Sequence, residues 1–200
     1  MTRPLGVILA GGLATRMGGG DKALLDLGGS TLLDQVVERL GPQVPSMALN
    51  ANGDATRFAA FDLPVLPDSI EGFAGPLAGV LAGLDWAAGQ RAEAIVTVAA
   101  DTPFFPRDLV ARLVAASEGQ EKPLVLAATA DGRHPTFGLW PVALRDDLRT
   151  ALDGGLRKVV QWTDAHGGRE ALFDGPDDPF FNVNTPEDLD KARAFYGGSA

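Results

Sequence analysis

The feature that most restricts this chain is an apolar run that ends abruptly in glycine. Leu5 to Ala10 contains no polar side chain, and Gly11 and Gly12 follow at once, with Gly18, Gly19 and Gly20 a few residues on. An uninterrupted apolar stretch of this kind reads as a β-strand covered on both faces, as in parallel sheets. Glycines after such a strand let successive backbone N–H groups converge on an anion with no Cβ in the way. Arg16 and Lys22 lie in the same stretch. A guanidinium offers phosphate oxygens a planar fork of donors, and an ammonium offers a mobile point charge. The combination reads as a phosphate cradle. It is not a Walker loop, because no Gly-Lys-Ser/Thr closes it, nor is it the Gly-x-Gly-x-x-Gly dinucleotide fingerprint. The alternative is a turn that merely happens to be glycine-rich, and Arg16 and Lys22 weigh against it.

The rest of the chain alternates between strand and helix patterns. Ser30 or Thr31 is positioned to cap a helix through Leu40, with Leu32, Leu33, Val36, Val37 and Leu40 at helical spacing. Ser46 to Ala51 and Pro64 to Leu66 read as strands, and Pro76 opens a helix to about Ala88. Ala94 to Ala100 is the clearest buried strand and ends at Asp101. A helix over 106–117 and strands over 124–128 and 135–140 come next. Helices over 142–152 and 156–163 follow, then a terminal strand over 181–183 and a helix over 186–196. This order predicts an α/β fold, a mostly parallel central sheet with helices on both faces, whose strand C-termini share one edge. No repeat or linker interrupts residues 1–200, so a single domain is expected.

Composition removes several function classes. Seventeen Lys and Arg face 26 Asp and Glu, a net charge of -9, so no nucleic-acid partner is expected. There is no cysteine and only two histidines, which excludes disulfides and thiolate or histidine-rich metal sites. No stretch is long and apolar enough to serve as an export signal or membrane span, so the expected location is the cytosol, away from any membrane.

The stretch from Leu9 to Lys22 closely resembles the Leu-Ala-Gly-Gly-x-x-x-Arg-Met-Gly-Gly-x-Asp-Lys signature of the molybdenum cofactor guanylyltransferases. These are a branch of the nucleotidyltransferases with a Rossmann-like fold. Gly11-Gly12 favours this branch over the related cytidylyltransferases, which usually carry Ala-Gly there. Later blocks agree in order and approximate spacing: Asn50-Ala51-Asn52, Pro67-Asp68-Ser69, Gly75 to Gly79, Asp101-Thr102-Pro103 and Asn182 to Glu187. The resemblance therefore spans the chain.

It implies transfer of GMP from GTP to Mo-molybdopterin with release of pyrophosphate, GTP being held by the N-terminal part and the pterin by the C-terminal part. Arg16, Lys22 and Asp101 are then catalytic, and Asp101 holds Mg2+. Leu9, Ala10, Gly11, Gly12, Lys22, Asn50, Asp68 and Asp101 bind GTP, while His134, Asn182 and Asn184 face molybdopterin. The partners implied are the two substrates and the proteins that supply molybdopterin or mature molybdoenzymes; a monomer is expected. Structural alternatives stay open for several residues. Asp101 and Asp68 also suit turns or a helix cap, Asn50 suits a turn, and the small residues of 75–79 suit helix packing as well as a pocket wall. His134 also fits an ordinary surface loop. Arg157 and Lys158 fit solvent slightly better than an acceptor phosphate. Thr185 reads as a helix cap. The rival functions are the same fold acting on CTP or a sugar phosphate, and a non-catalytic cofactor carrier.

Overall fold

A computed structural model describes residues 3–11, 21–70, 75–175 and 178–197. The strands are β1 (Leu5–Leu9), β2 (Met47–Asn50), β3 (Val65–Leu66), β4 (Ala94–Ala99), β5 (Val125–Thr129), β6 (Gly132–Pro141) and β7 (Arg169–Leu172). The helices are α1 (Leu32–Leu40), α2 (Pro76–Gly89), α3 (Leu109–Ala116), α4 (Arg145–Asp153), α5 (Val159–Ala165) and α6 (Pro186–Gly197). The strands form one sheet in the order β3-β2-β1-β4-β6-β5-β7. β1 pairs in parallel with β2 and β4, β2 with β3, and β5 with β7. β6 alone runs against its neighbours, β4 and β5. The sheet is thus mostly parallel.

Side-chain alternation explains why helices cover both faces. Ile8, Val96 and Val98 join one core with Leu33, Val36 and Leu40 of α1 and Leu109, Val110 and Leu113 of α3. Val7 and Ile95 point the other way, toward Leu77, Val80, Leu81 and Leu84 of α2, Leu148 and Leu152 of α4, and Trp162 of α5. Each buried Leu or Ile contributes about 1.5–3 kcal/mol, so a strand apolar on both faces demands two layers. Thr97 would leave a hydroxyl stranded in the second core, but the Trp140 indole N–H donates to its Oγ1 at 2.8 Å. A third, smaller core of Leu27, Leu32, Val183, Leu189 and Ala192 fastens α6 to the segment before α1.

Local signals hold at two helix starts. Thr31 caps α1 in a reciprocal box with Asp34. Thr185 does the same for α6, its Oγ1 accepting from the Asp188 backbone N–H while Asp188 accepts from the Thr185 and Asn184 N–H groups. Other expectations need correction. Residues 181–183 form no strand: Phe181 N–H donates locally to the Asp178 carbonyl at 3.3 Å, and Val183 N–H donates to the Asp101 carbonyl at 2.9 Å. The helix expected over 142–152 starts as a short tight turn over Val142–Leu144 before α4, and the one expected over 156–163 is α5, displaced toward the C-terminus. β7 was not foreseen. Only Ala171 of its four residues is buried, so it carries no apolar pattern.

Candidate active site

The order of pairing puts a switch between β1 and β4: the chain moves outward from β1 to β2 and β3, then returns to the other side of β1 as β4. Ligands of open α/β sheets sit in the crevice beyond the strand C-termini at such a point. Leu9 lies in register with Asn50 of β2 and Ala99 of β4, and Asn50 with Leu66 of β3. Leu9, Ala10, Gly11, Asn50, Asp68 and Asp101 therefore all lie along one rim.

At the β1–β4 crevice the Lys22 ammonium gathers three oxygens. Asp101 Oδ2 lies 2.6 Å away, Asn184 Oδ1 2.6 Å and Asn182 Oδ1 3.4 Å. Lys22 is buried, and the Asp101 side chain keeps 24% of its exposure, so the pair is sheltered yet reachable. A small cavity between them is lined by Leu9, Ala10, Lys22, Ala23, Ala100 and Asp101. The C-terminal segment arrives through the Val183–Asp101 backbone bond, with Val183 buried and both flanking asparagines reaching Lys22. The two asparagines do share a side, as their spacing predicts, although the segment is no strand. Asp101 does not cap α3. Its shortest bond is to Lys22, and the Thr102 hydroxyl lies 3.4 Å from its other oxygen.

The second cluster lies at the ends of β2 and β3. Asp68 accepts from Asn50 Nδ2 at 2.9 Å through one oxygen and from Asn52 Nδ2 at 2.8 Å through the other. Asn52 Oδ1 accepts in return from the Asp68 backbone N–H, and Asn50 also donates to the Leu66 carbonyl. These bonds cross between strand ends, so Asp68 is more than a turn residue. Gly79 of α2 permits this arrangement: a Cβ there would lie 2.2 Å from Asn50 Oδ1 and 2.8 Å from Leu9 Cδ2. Next to it, Ser69 donates to Asp85, which the Arg149 guanidinium also holds.

Arg57 joins the two clusters. It pairs with Asp21 Oδ2 at 2.6 Å, donates to the Asn52 and Asp54 carbonyls, and lies 4.6 Å over the Phe58 ring. The sequence reading assigned no role to Asn52, Asp21 or Arg57. Asn52 stood in a matched block, but Arg57 looks like any surface cation until its partners are placed.

Not every expected residue converges. Gly12 and Arg16 lie outside the described residues. His134 shares no bond with Lys22, Asp101, Asn182 or Asn184. Its Nε2 lies 3.1 Å from Thr129 Oγ1 and its ring stacks 4.2 Å from that of Phe180, two residues before Asn182. Burial holds its pKa below the ordinary histidine value, against the raising effect of Asp178 and Asp131. Arg157 is occupied by the Leu152 and Leu156 carbonyls at the end of α4. A much larger hollow, about 790 Å³, opens at the opposite end of the strands beside Glu93, Gly119 and Pro141. Its charged lining is Glu93, Glu118 and Glu121, which suits no triphosphate, so size alone misleads here.

Comparison with known proteins identifies the family. Residues 6–168 match the model of the MobA-like NTP transferase domain. The chain is 52% identical to a molybdenum cofactor guanylyltransferase from Mesorhizobium japonicum, covering 94% of this chain and 93% of that one. It is 54% identical to another from Bradyrhizobium sp., covering 94% and 91%. Among solved structures, the molybdopterin-guanine dinucleotide biosynthesis protein A from Archaeoglobus fulgidus superposes with a TM-score of 0.78 at 22% identity, over 97% of this chain and 99% of that one. The match over residues 6–168 and the similarity along nearly the whole chain lead to one conclusion: the chain belongs to the MobA-like NTP transferase family and stands with its molybdenum cofactor guanylyltransferases.

Proposed function

We propose that this protein transfers GMP from GTP to the phosphate of Mo-molybdopterin, releasing pyrophosphate, at the β1–β4 crevice. The observation that carries the site is the Lys22–Asp101 pair with the two asparagines gathered around it. In the reaction an acceptor phosphate oxygen attacks the α-phosphorus of GTP and the bond to the departing pyrophosphate breaks. A phosphate monoester is already largely dianionic at neutral pH, its second pKa being about 6, so the nucleophile needs no general base. That accords with a crevice whose ionisable groups are a lysine and carboxylates.

The obstacle is anion meeting anion. Two unit charges about 4 Å apart repel by about 4 kcal/mol at an effective dielectric near 20. Lys22 and Arg16 are the cations we assign to offset this, as fixed charges aimed at the phosphates. Asp101 is the proposed holder of a divalent ion, Mg2+ in our reading. The fit rests on donor chemistry: the carboxylate and amide oxygens around Lys22 already collect on a cation and are hard oxygen donors. No group of three or more ligand-type residues occurs among the described residues, and Mg2+ is commonly held by one or two carboxylates with phosphates and waters filling its shell. When bound, the ion neutralises phosphate charge and polarises the reacting phosphoryl oxygens.

Leu9, Ala10, Gly11 and Gly12 offer backbone to the nucleotide in this reading. Asn50 and Asp68 take its sugar or base: Asp68 has no cationic partner among the described residues, so it suits N–H and O–H donors and would repel phosphates. Asn182, Asn184 and His134 are assigned to the pterin side. The test is competition binding of GTP against CTP, UTP and ATP, together with pyrophosphate release measured with and without molybdopterin. Preference for GTP and molybdopterin-dependent release are the expected results. Equal binding of CTP, or no release at all, would remove the proposal in favour of a different nucleotidyltransferase or a passive carrier.

A further inference from the structure

Lys22 and Asp68 belong to separate clusters, yet one side chain reaches the backbone or side chain next to each. Asp21, adjacent to Lys22, stands at the N-terminal cap position of the short turn Lys22–Leu24 but makes no side-chain capping bond. An aspartate at that position normally accepts from the turn's N–H groups. Here its carboxylate faces Arg57 instead, at 2.6 Å. The other end of the same guanidinium donates to the Asn52 carbonyl at 2.6 Å and the Asp54 carbonyl at 2.7 Å. The loop closes around it because Gly53 adopts a φ of +83°, and a Cβ there would lie 3.2 Å from an Arg57 nitrogen. Asn52 in turn holds Asp68 through both ends of its amide. Polar contacts thus run Asp21–Arg57–Asn52–Asp68, with Lys22 the backbone neighbour of Asp21 and the Phe58 ring beneath the guanidinium. The planar guanidinium donates to two carbonyls while its Nε makes an ion pair, not a hydrogen bond, with the Asp21 carboxylate, an arrangement an ammonium cannot reproduce.

We infer that Arg57 is a positioning residue that sets the distance between the phosphate-side lysine and the sugar- or base-side aspartate, so that both engage one nucleotide. This rests on the GTP reading above and adds a residue that touches neither reacting group. The test uses the full-length protein with R57A, R57K, D21N and the R57A/D21N double variant, each first shown to melt cooperatively. R57A should raise the Kd for GTP with magnesium by about 10–100-fold. The KM for the acceptor should stay unchanged, R57K should recover part of the loss, and the double variant should be no worse than R57A alone. Wild-type affinity in R57A, or losses that multiply in the double variant, would overturn the inference. Should the wild-type protein bind no GTP, the functional reading fails, and amide hydrogen exchange then decides the coupling by itself. Faster exchange in R57A at both 21–25 and 50–54 supports it, and a change confined to 52–58 overturns it.

Discussion

Two carboxylates end up on the same rim in opposite company. Asp101 faces a buried ammonium at 2.6 Å, whereas both oxygens of Asp68 are held by the neutral amides of Asn50 and Asn52. The first pair is close to neutral in sum and presents both signs of charge to a ligand. The second has neutral amides as its side-chain partners and a fixed orientation. In the proposed reading a triphosphate is drawn to the Lys22 side and turned away from the Asp68 side, which leaves Asp68 the sugar and the base. The contrast gives the proposed nucleotide an electrostatic reason to bind in one orientation.

The strongest way to break the contrast is to exchange the two losses. Asp101→Ala should lower kcat by about 10²–10³-fold or more while the fold persists, read from steady-state turnover and a thermal melt. Lys22→Ala should impair both GTP affinity and turnover, with its effect on binding shrinking as salt rises. Asp68→Asn should raise the Kd for GTP by about tenfold or more, the loss of a bond to a charged acceptor, with kcat much less affected. Equal damage to kcat by Asp68→Asn and Asp101→Ala would erase the distinction.

Smaller effects sharpen it. Gly79→Ala pushes a methyl against Asn50 and Leu9 and should cost about 1–3 kcal/mol in overpacking, weakening GTP binding chiefly through Asn50 and the Asp68 side. Calorimetry on the variant, compared with Asp68→Asn, tests whether both act through one cluster. Farther from the rim, His134→Phe should change the pH dependence of stability. Burial lowers the His134 pKa, so its neutral ring favours the folded state. That contribution is complete above the ordinary histidine value of about 6.5 and is lost as the pH falls through it. The Tm of the wild-type protein should drop more steeply between pH 7 and 5 than that of His134→Phe, and parallel curves would contradict this.

The two clusters also differ in how far the sequence reveals them. Asn50 and Asp68 are 18 residues apart and follow consecutive parallel strands, so strand patterns alone bring them close. Lys22 and Asn184 are separated by 162 residues, and nothing in either segment's own pattern says that they meet. The matched motifs assigned them to different substrates. The contact depends on Val183 and α6 finding the small core around Leu27 and Leu32, a packing event with no local signature. His134 illustrates the converse. A motif match assigned it to the acceptor, while its described bonds tie it to Thr129 and Phe180.

By itself the sequence determined the pieces whose cause is local. The run Leu5–Ala10 must be a strand buried on both faces because it has no polar side chain to offer water, and the caps at 30 or 31 and at 185 follow from hydroxyl groups placed before helix-forming residues, the structure selecting Thr31. It also determined the chemistry available at the rim, because lysine, arginine and carboxylates after strand ends can serve few ligands other than phosphates and cations. Tertiary structure alone decided the reversal of β6, the addition of the polar edge strand β7, the partners of Lys22 and the bridge made by Arg57. Each depends on which distant surfaces bury one another, and burial is a property of the assembled layers that no single segment carries.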